Sequence, residues 1–468
     1  MAPDGASKQP DDGTLVTRVM NVIRDRIGTR NLLAGDRLPS IRGFARQMKV
    51  SNSTVVEAYD RLVAEGVIKA RRGSGFYVAP HTAPLSIARI GPKLDRAIDP
   101  FWVSRQSLDA RPDMLKPGCG WLPADWMPET AIRRALRKLS RADDATLVDY
   151  GTPLGLASLR HFLSRRMAGY GIDAHPDHLL LTESGTQAID MLCRFLIAPG
   201  DTVLVDDPCY FNFQALLRAH RANIVGVPFT ENGPDVDAFA RMAATTKPRL
   251  YITNSGLHNP TGASLSPMVA HQVLNIAEQH DLIIIEDDIF ADFENTPAPR
   301  LVALGGLERV IHIGSFSKTL SASVRCGYIA ASADWIDGLT DLKIATGFSG
   351  PNLSAELIFA VLKDGTYRKY METLRDRLAR TMTITETRLR NLGITPAINP
   401  DAGLFLWCRL PDHMDAATLA RNALSDGVVL APGNVFSISQ TAGNLMRFNV
   451  AQCQDERIFK VLERALEK

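Results

Sequence analysis

The sequence predicts an α/β fold built on a mostly parallel sheet, preceded by a small helical head that ends in a β-hairpin. Three observations predict it. From about Lys116 onward, short Val/Ile/Leu runs alternate with amphipathic helical stretches, the pattern of βαβ units. Residues 14–79 show instead three helical stretches and then two short strands around RGSG. Charge divides the same way: residues 1–80 hold 13 Lys and Arg against 8 Asp and Glu, and the remainder holds 40 against 43. A basic front ahead of a slightly acidic body places polyanion binding, if any, at the front.

Composition sets outer bounds. At about 150 residues per domain, 468 residues allow roughly three folding units. An apolar fraction of 45% with 22% charged residues excludes disorder, collagen and a disulfide-stapled mini-domain. No run approaches the ~20 consecutive apolar residues of a membrane span. The opening MAPDGASKQPDDGT lacks the apolar centre of a signal peptide, so a cytoplasmic protein is expected. Cys119, Cys193, Cys209, Cys326, Cys408 and Cys453 stand singly, and the ten histidines form no HExxH. Neither a disulfide framework nor a metal site is expected.

In the head, TLVTRVMNVIRDRIGTR places Val16, Val19, Met20, Ile23 and Ile27 on one helical face. Gly35–Asp36 marks a turn. Ser40 is placed to cap a helix running to about Met48, and Lys49–Val50 forms a tight turn. Ser51 caps a second helix whose apolar face is Val55, Tyr59, Leu62 and Val63, and Gly66 ends it. Two short helices about such a turn are the helix-turn-helix pattern. VIKAR and GFYV around RGSG read as a hairpin, or wing. Ser51, Asn52, Ser53 and Thr54 lie in the first turn of the second helix, where small hydroxyl and amide side chains reach phosphates and base edges. Asn52 is the one able to make a bidentate contact with adenine. Arg42 on the first helix, and Arg71 and Arg72 beside Gly73 on the wing, are placed for phosphate or minor-groove contact. Each residue alone reads equally well as a cap or a solvated charge; their order points to double-stranded DNA. GDRLPSIRGFA, VSNSTVVEAYDRLVAEGVI and RRGSGFYV closely resemble the GntR-type winged helix of bacterial transcription regulators over residues 14–79. In such relatives the position of Asn52 is often an arginine reading guanine.

Residues 80–117 carry four prolines by Pro100 and no sustained periodicity. They read as a semi-rigid tether followed by an arm on the next domain, with no chemistry of its own.

In the body, 118–468, the strand candidates are HLLLT (178–182), DTVLVDD (201–207), PRLYIT (248–253), DLIIIEDD (281–288) and RVIHIGS (309–315). Polar residues gather after their ends, where open α/β sheets bind ligands. Ser184-Gly185-Thr186, between a strand and a helix, suits a phosphate at a helix N-terminus, though an ordinary βα turn is the plainer reading. Asn259 sits in a Pro/Gly-fixed loop, HNPTG. Asp287 ends an apolar strand, where a buried carboxylate needs a cation: a protonated pyridine nitrogen, or simply a neighbouring arginine. Lys318, in SFSK at a strand end, suits imine formation with an aldehyde, although most lysines are merely solvated. Arg325, seven residues on, can neutralise the phosphate. Together these are the needs of pyridoxal 5′-phosphate.

The ordered set SFSK–x6–R, NPTG and the EDD strand resembles fold-type I, class I/II aminotransferases. That resemblance implies a large domain with a small C-terminal α+β subdomain. It assigns the internal aldimine to Lys318, the pyridine nitrogen to Asp287, the ring hydroxyl oxygen to Asn259 and ring stacking to Tyr210. Ser184, Gly185, Thr186, Ser315 and Arg325 would hold the phosphate, and Tyr150 the phosphate of the neighbouring subunit. Arg447 would grip a substrate or effector α-carboxylate. Two departures stand out. Phe290 replaces a tyrosine common three residues after the aspartate, which leaves Asn259 as the main partner of the ring oxygen. The loop after Lys318 reads SASVR where relatives often have APGLR. A GntR-type head on an aminotransferase-like body is the organisation of MocR-type regulators. It implies a homodimeric, DNA-binding sensor in which an amino acid or related amine forms an external aldimine. The alternative is a working aminotransferase with an appended DNA-binding head.

Overall fold

The computed structural model describes residues 14–28, 32, 35–71, 73–79, 100–109 and 111–466. The chain divides into two compact units, Met1–Ser86 and Ile87–Lys468.

The head contains α1 (Leu15–Gly28), α2 (Ile41–Met48), α3 (Asn52–Ala64), β1 (Ile68–Arg71) and β2 (Gly75–Val78). The five α1 positions named from periodicity are all buried, in one apolar core with Phe44, Val55, Tyr59, Leu62 and Ile68. Ser40 Oγ accepts from Gly43 N at 3.2 Å, and Ser51 Oγ accepts from Thr54 N at 3.1 Å. Each cap stabilises its helix by about 1 kcal/mol. Lys49, with φ at 54°, closes α2 and turns the chain into α3. Tyr59 fastens α3 on both sides: its hydroxyl donates to Pro39 O at 2.9 Å, and its ring meets Phe76 edge-on at 4.9 Å. β1 and β2 pair antiparallel from Ile68↔Val78 to Arg71↔Gly75, forming the wing.

The body is built on β3 (Leu179–Thr182), β4 (Thr202–Asp207), β5 (Asn223–Thr230), β6 (Gly233–Pro234), β7 (Leu250–Thr253), β8 (Ile283–Asp287), β9 (Val310–Ser315) and β10 (Gly327–Ala330). Their order is β3-β10-β9-β8-β7-β4-β5-β6. The pairs β4–β5, β4–β7, β7–β8 and β8–β9 are parallel; β10 runs antiparallel to β3 and β9, and β6 to β5. The sheet is therefore mostly parallel, as the runs of Val, Ile and Leu require. Helices cover both faces, so β3, β7 and β9 are buried at every residue.

Three strands of this sheet were not foreseen: β5, the two-residue β6 and β10. β5 is only partly buried and lacks a continuous apolar run. β10 has four residues, one of them glycine. Gly327 is required there: a Cβ would lie 2.7 Å from Ser184 C and 2.9 Å from Gly185 N.

A second sheet, β11 (Thr395–Pro396), β12 (Phe405–Arg409), β13 (Ala431–Pro432) and β14 (Leu445–Asn449), is antiparallel in the order β11-β12-β14-β13. With the helices Thr366–Asn391, Ala416–Ser425 and Glu456–Leu466 it makes the small C-terminal α+β subdomain.

Part of the segment between head and body packs on the body as an arm, and it is helical where no sustained periodicity was seen. Residues 80–99 lie outside the described residues. Pro100–Leu108 then forms a helix, α4, despite its weak periodicity. Proline suits a first helical position, and Val103 anchors α4 in an apolar cluster with Phe211, Trp407 and Phe436. Among the described residues no helix is long and apolar enough to cross a membrane.

Candidate functional site

Parallel strands share one direction, so residues following β3, β4, β7, β8 and β9 converge. They line one cavity of about 340 Å³. Ser184, Gly185, Thr186, Tyr210, Asn259, Asp287, Ser315, Lys318, Arg325 and Arg447 all face it. Tyr150 does not: it is 81% exposed, with its ring stacked 5.5 Å from Phe348.

β9 delivers Lys318. Its last residue, Ser315, fixes the following turn: Oγ donates to Cys326 O at 3.2 Å and accepts from Ser317 N at 3.2 Å. Lys318 Nζ donates to Gly120 O at 2.7 Å. Burial, with Arg447 nearby, lowers the ammonium pKa to about 8. At neutral pH this enlarges the unprotonated, nucleophilic fraction by about two orders of magnitude.

Asp287 closes β8. Burial raises its pKa to about 6. Its carboxylate accepts from Ile289 N at 3.2 Å, and Asn254 Nδ2 donates to its main-chain carbonyl at 2.9 Å. The plain answer, a neighbouring arginine, does not hold. Arg300 pairs instead with Asp288 at 3.1 Å and Glu294 at 2.7 Å. Among the described residues Asp287 has no ion-pair partner, so a cationic ring nitrogen fits its need.

The helix Gly185–Leu196 begins at the cavity, capped by Ser184 Oγ accepting from Gln187 N at 3.1 Å. The first amides of a helix lack intrahelical partners and attract anions. Arg325 joins them, held in the left-handed region at φ 56°. It makes no ion pair or side-chain hydrogen bond with any described residue, which suits a phosphate.

Arg447 reaches in from β14. Nη1 donates to Asn259 Oδ1 and Nη2 to Gly118 O, each at 2.7 Å. Phe405 and Phe436 flank the guanidinium at 4.3 and 4.7 Å. Burial lowers its pKa to about 10, and Nε has no partner. A buried guanidinium without a carboxylate is an anion site. Tyr210 turns its ring to Phe211 and Phe213, and burial raises its phenol pKa. Phe290 stands edge-on to Phe405 at 5.6 Å.

Several cavity residues escaped the sequence reading. Gly118, Cys119, Gly120 and Trp121 form a wall whose carbonyls receive Arg447 and Lys318. The signal was the Gly-Cys-Gly run: a Cβ on Gly118 would sit 2.4 Å from Leu430 C. α4, expected to carry no chemistry, supplies Val103, Ser104, Ser107 and Leu108. Ile189, Phe211, Asn254, Ile289, Ser317 and Ala322 complete the additions.

On the head, Arg42, Asn52 and Ser53 are exposed, and Thr54 is half-buried. Asn52 has no partner among the described residues. Ser51 Oγ is committed to capping and lies 2.8 Å from both Ser53 Oγ and Thr54 Oγ1. Arg71 rests over the Tyr77 ring at 4.5 Å, and Gly73 turns the wing at φ 73°. Arg72 lies outside the described residues.

Comparison with known proteins bears on both units. Residues 123–464 match the family of aminotransferases of class I and II, and residues 15–78 match bacterial regulatory proteins of the gntR family. The HTH-type transcriptional regulator YdcR of Escherichia coli is 30% identical over 93% of this chain and 94% of its own. The HTH-type transcriptional regulator NorG of Staphylococcus aureus is 26% identical over 86% and 92%. Among solved structures, LysN of Thermus thermophilus is an α-aminoadipate aminotransferase complexed with N-(5′-phosphopyridoxyl)-L-leucine. It is 26% identical with a TM-score of 0.70, over 78% of this chain and 94% of its own. An archaeal alanine:glyoxylate aminotransferase gives 26% and 0.71, over 78% and 92%.

Proposed function

The chain belongs to the class I and II aminotransferase family and carries a gntR-family regulatory domain at its front, and from that premise we propose that it is a pyridoxal 5′-phosphate-dependent, DNA-binding transcriptional regulator that senses an amino acid or related amine. The observation that carries this reading is one cavity holding two separated demands. A lysine, an unpaired carboxylate and a helix N-terminus await a phosphorylated pyridine aldehyde. A buried arginine with an unpartnered Nε awaits a carboxylate.

The residues present fit the cofactor. When bound, pyridoxal 5′-phosphate supplies an aldehyde that exchanges amine partners and a ring that withdraws electrons. Lys318, its ammonium pKa lowered by burial, would be the residue that holds the aldehyde carbon. Asp287 keeps a proton on the ring nitrogen. Asn259, its Oδ1 taken by Arg447, has Nδ2 left to donate to the ring oxygen. Ser184, Gly185, Thr186, Ser315 and Arg325 receive the phosphate, and Tyr210 covers the ring. Arg447 binds the amino acid's carboxylate through the fork it turns to the cavity. Ligand occupancy alters DNA binding only as far as it favours one arrangement of the protein over another.

On the head, Asn52, Ser53 and Thr54 read the major groove while Arg42, Ser51, Arg71, Arg72 and Gly73 meet the backbone or minor groove. The chain acts as a cytoplasmic homodimer on a two-half-site operator. Support for the second copy comes from Tyr150 and its stacked partner Phe348, 81% and 65% exposed, beside exposed Val148. Such an apolar face calls for cover, and Tyr150 then reaches the neighbour's phosphate.

The test is spectroscopic. Purified protein given the cofactor develops a visible band, and borohydride fixes the cofactor mass on the Lys318 peptide. An amino acid shifts the band and changes affinity for selected DNA. A colourless protein that refuses the cofactor overturns the reading. Multiple-turnover production of a 2-oxo acid, with DNA affinity unmoved, favours a working aminotransferase instead.

A further inference from the structure

Resting on the amino-acid-sensing reading above, we propose that α4 forms the subsite for the effector's side chain, and that the Ser107 hydroxyl selects a neutral amino acid whose side chain carries a hydrogen-bonding group. Among the described residues lining the cavity, two buried polar side-chain atoms lack any partner: Arg447 Nε and Ser107 Oγ. The first is answered by the α-carboxylate. The second needs another group on the same ligand, because a buried hydroxyl left unmatched forfeits its hydration without return.

Ser107 is 2% exposed. It lies four residues after Val103, so both project from one face of α4. Val103 is locked among Phe211, Trp407 and Phe436, which fixes the turn that bears Ser107.

Charge narrows the ligand further. The charged side chains of the described wall are Asp287, Lys318, Arg325 and Arg447, and each has a partner in the cofactor or the carboxylate. The wall also carries the apolar side chains of Val103, Leu108, Trp121, Phe211 and Phe290, and α4 adds the Ser104 hydroxyl. An acidic or basic side chain there would bury an uncompensated charge. A neutral chain with a hydroxyl or amide meets the apolar walls and Ser107 together.

The experiment titrates the full-length, cofactor-loaded protein with serine, threonine, asparagine, glutamine, alanine, valine, aspartate, glutamate and lysine. It reads the cofactor's absorbance change and takes affinity ratios within one sample, so the extent of loading cancels. The expected result is tightest binding by one of the hydroxyl- or amide-bearing ligands. In Ser107→Ala its advantage over the alkyl ligand nearest in size falls by about 3- to 10-fold, and in Ser107→Thr the advantage is kept. A response led by an acidic or basic amino acid, or a ratio unchanged in Ser107→Ala, overturns this proposal while leaving the sensor reading intact. A spectrum that no amino acid moves sinks the sensor reading and this proposal with it.

Discussion

Arg447 Nη1 and Asn259 Oδ1 are joined by a hydrogen bond of 2.7 Å that ties the antiparallel C-terminal sheet to the NPTG loop of the parallel sheet. The residue placed for the ligand's carboxylate therefore also orients the amide placed for the ring oxygen. Arg447→Met is expected to weaken amino-acid binding by about 2–4 kcal/mol, the loss typical of a buried charge pair missing one member. It frees Asn259 as well, so the cofactor's absorbance maximum should shift even without ligand. Titrations of wild type and variant check both. An unchanged ligand affinity would remove Arg447 from the carboxylate site.

Asp287 supplies a pH signature in the cofactor-free protein. Its folded pKa of about 6 stands above the ordinary value of 3.8. A raised carboxyl pKa contributes stability below the unfolded value and loses it as pH rises through the folded one. The apo protein should thus lose about 1–3 kcal/mol between pH 4 and 7 from this group. Asp287→Asn should be more stable than wild type at pH 7, with the difference vanishing toward pH 4. Denaturant melts across that range measure it. The same variant should bind the cofactor far more weakly, because the ring nitrogen loses its counter-charge.

Phe290 lines the cavity where a phenol would donate to the ring oxygen. A hydrogen bond donated to an anionic oxygen favours the charged form. Phe290→Tyr should therefore lower the pH midpoint of the cofactor's absorbance change by about 1 unit. A midpoint that stays put or rises would show that the oxygen is already saturated by Asn259.

The head offers two separable losses. Asn52→Ala should cost about 1–3 kcal/mol on the selected site and relax preference at one base pair. Arg71→Ala should weaken binding to all sequences alike and reduce the salt slope by about 1. Anisotropy titrations at several salt concentrations distinguish them.

Gly327 couples the unforeseen strand β10 to the helix N-terminus. In Gly327→Ala the new Cβ meets the main chain of Ser184 and Gly185, which cannot swing aside. Overpacking of this kind costs about 1–3 kcal/mol. The expected outcome is a lower thermal midpoint together with weaker phosphate binding, read by competition with inorganic phosphate.

What the sequence disclosed followed from local physics. The α1 face, the serine caps of α2 and α3 and the five parallel strands depend on periodicity, capping and apolar runs, all of which act over a few residues. Lys318, Asp287 and Asn259 were legible because each ends or follows such a strand. β10 was not, because its place between β3 and β9 is set by tertiary pairing rather than composition. α4 was hidden for a similar reason: Ser107 and Val103 acquire meaning only when Phe211, Trp407 and Phe436 come to meet them from distant parts of the chain. The partner of Arg300 was equally invisible, since Asp287, the last residue of β8, and Asp288, just beyond it, are sequence neighbours and only the fold shows which of them Arg300 meets.

The most direct measurement is DNA selection with the cofactor-loaded full-length protein, followed by affinity titrations on the selected duplex with and without each amino acid. One ligand is expected to change DNA affinity, DNA is expected to change that ligand's affinity by the same factor, and Lys318→Ala is expected to abolish both effects. Equal DNA affinity at saturating concentrations of every amino acid would overturn the coupling of cavity to head.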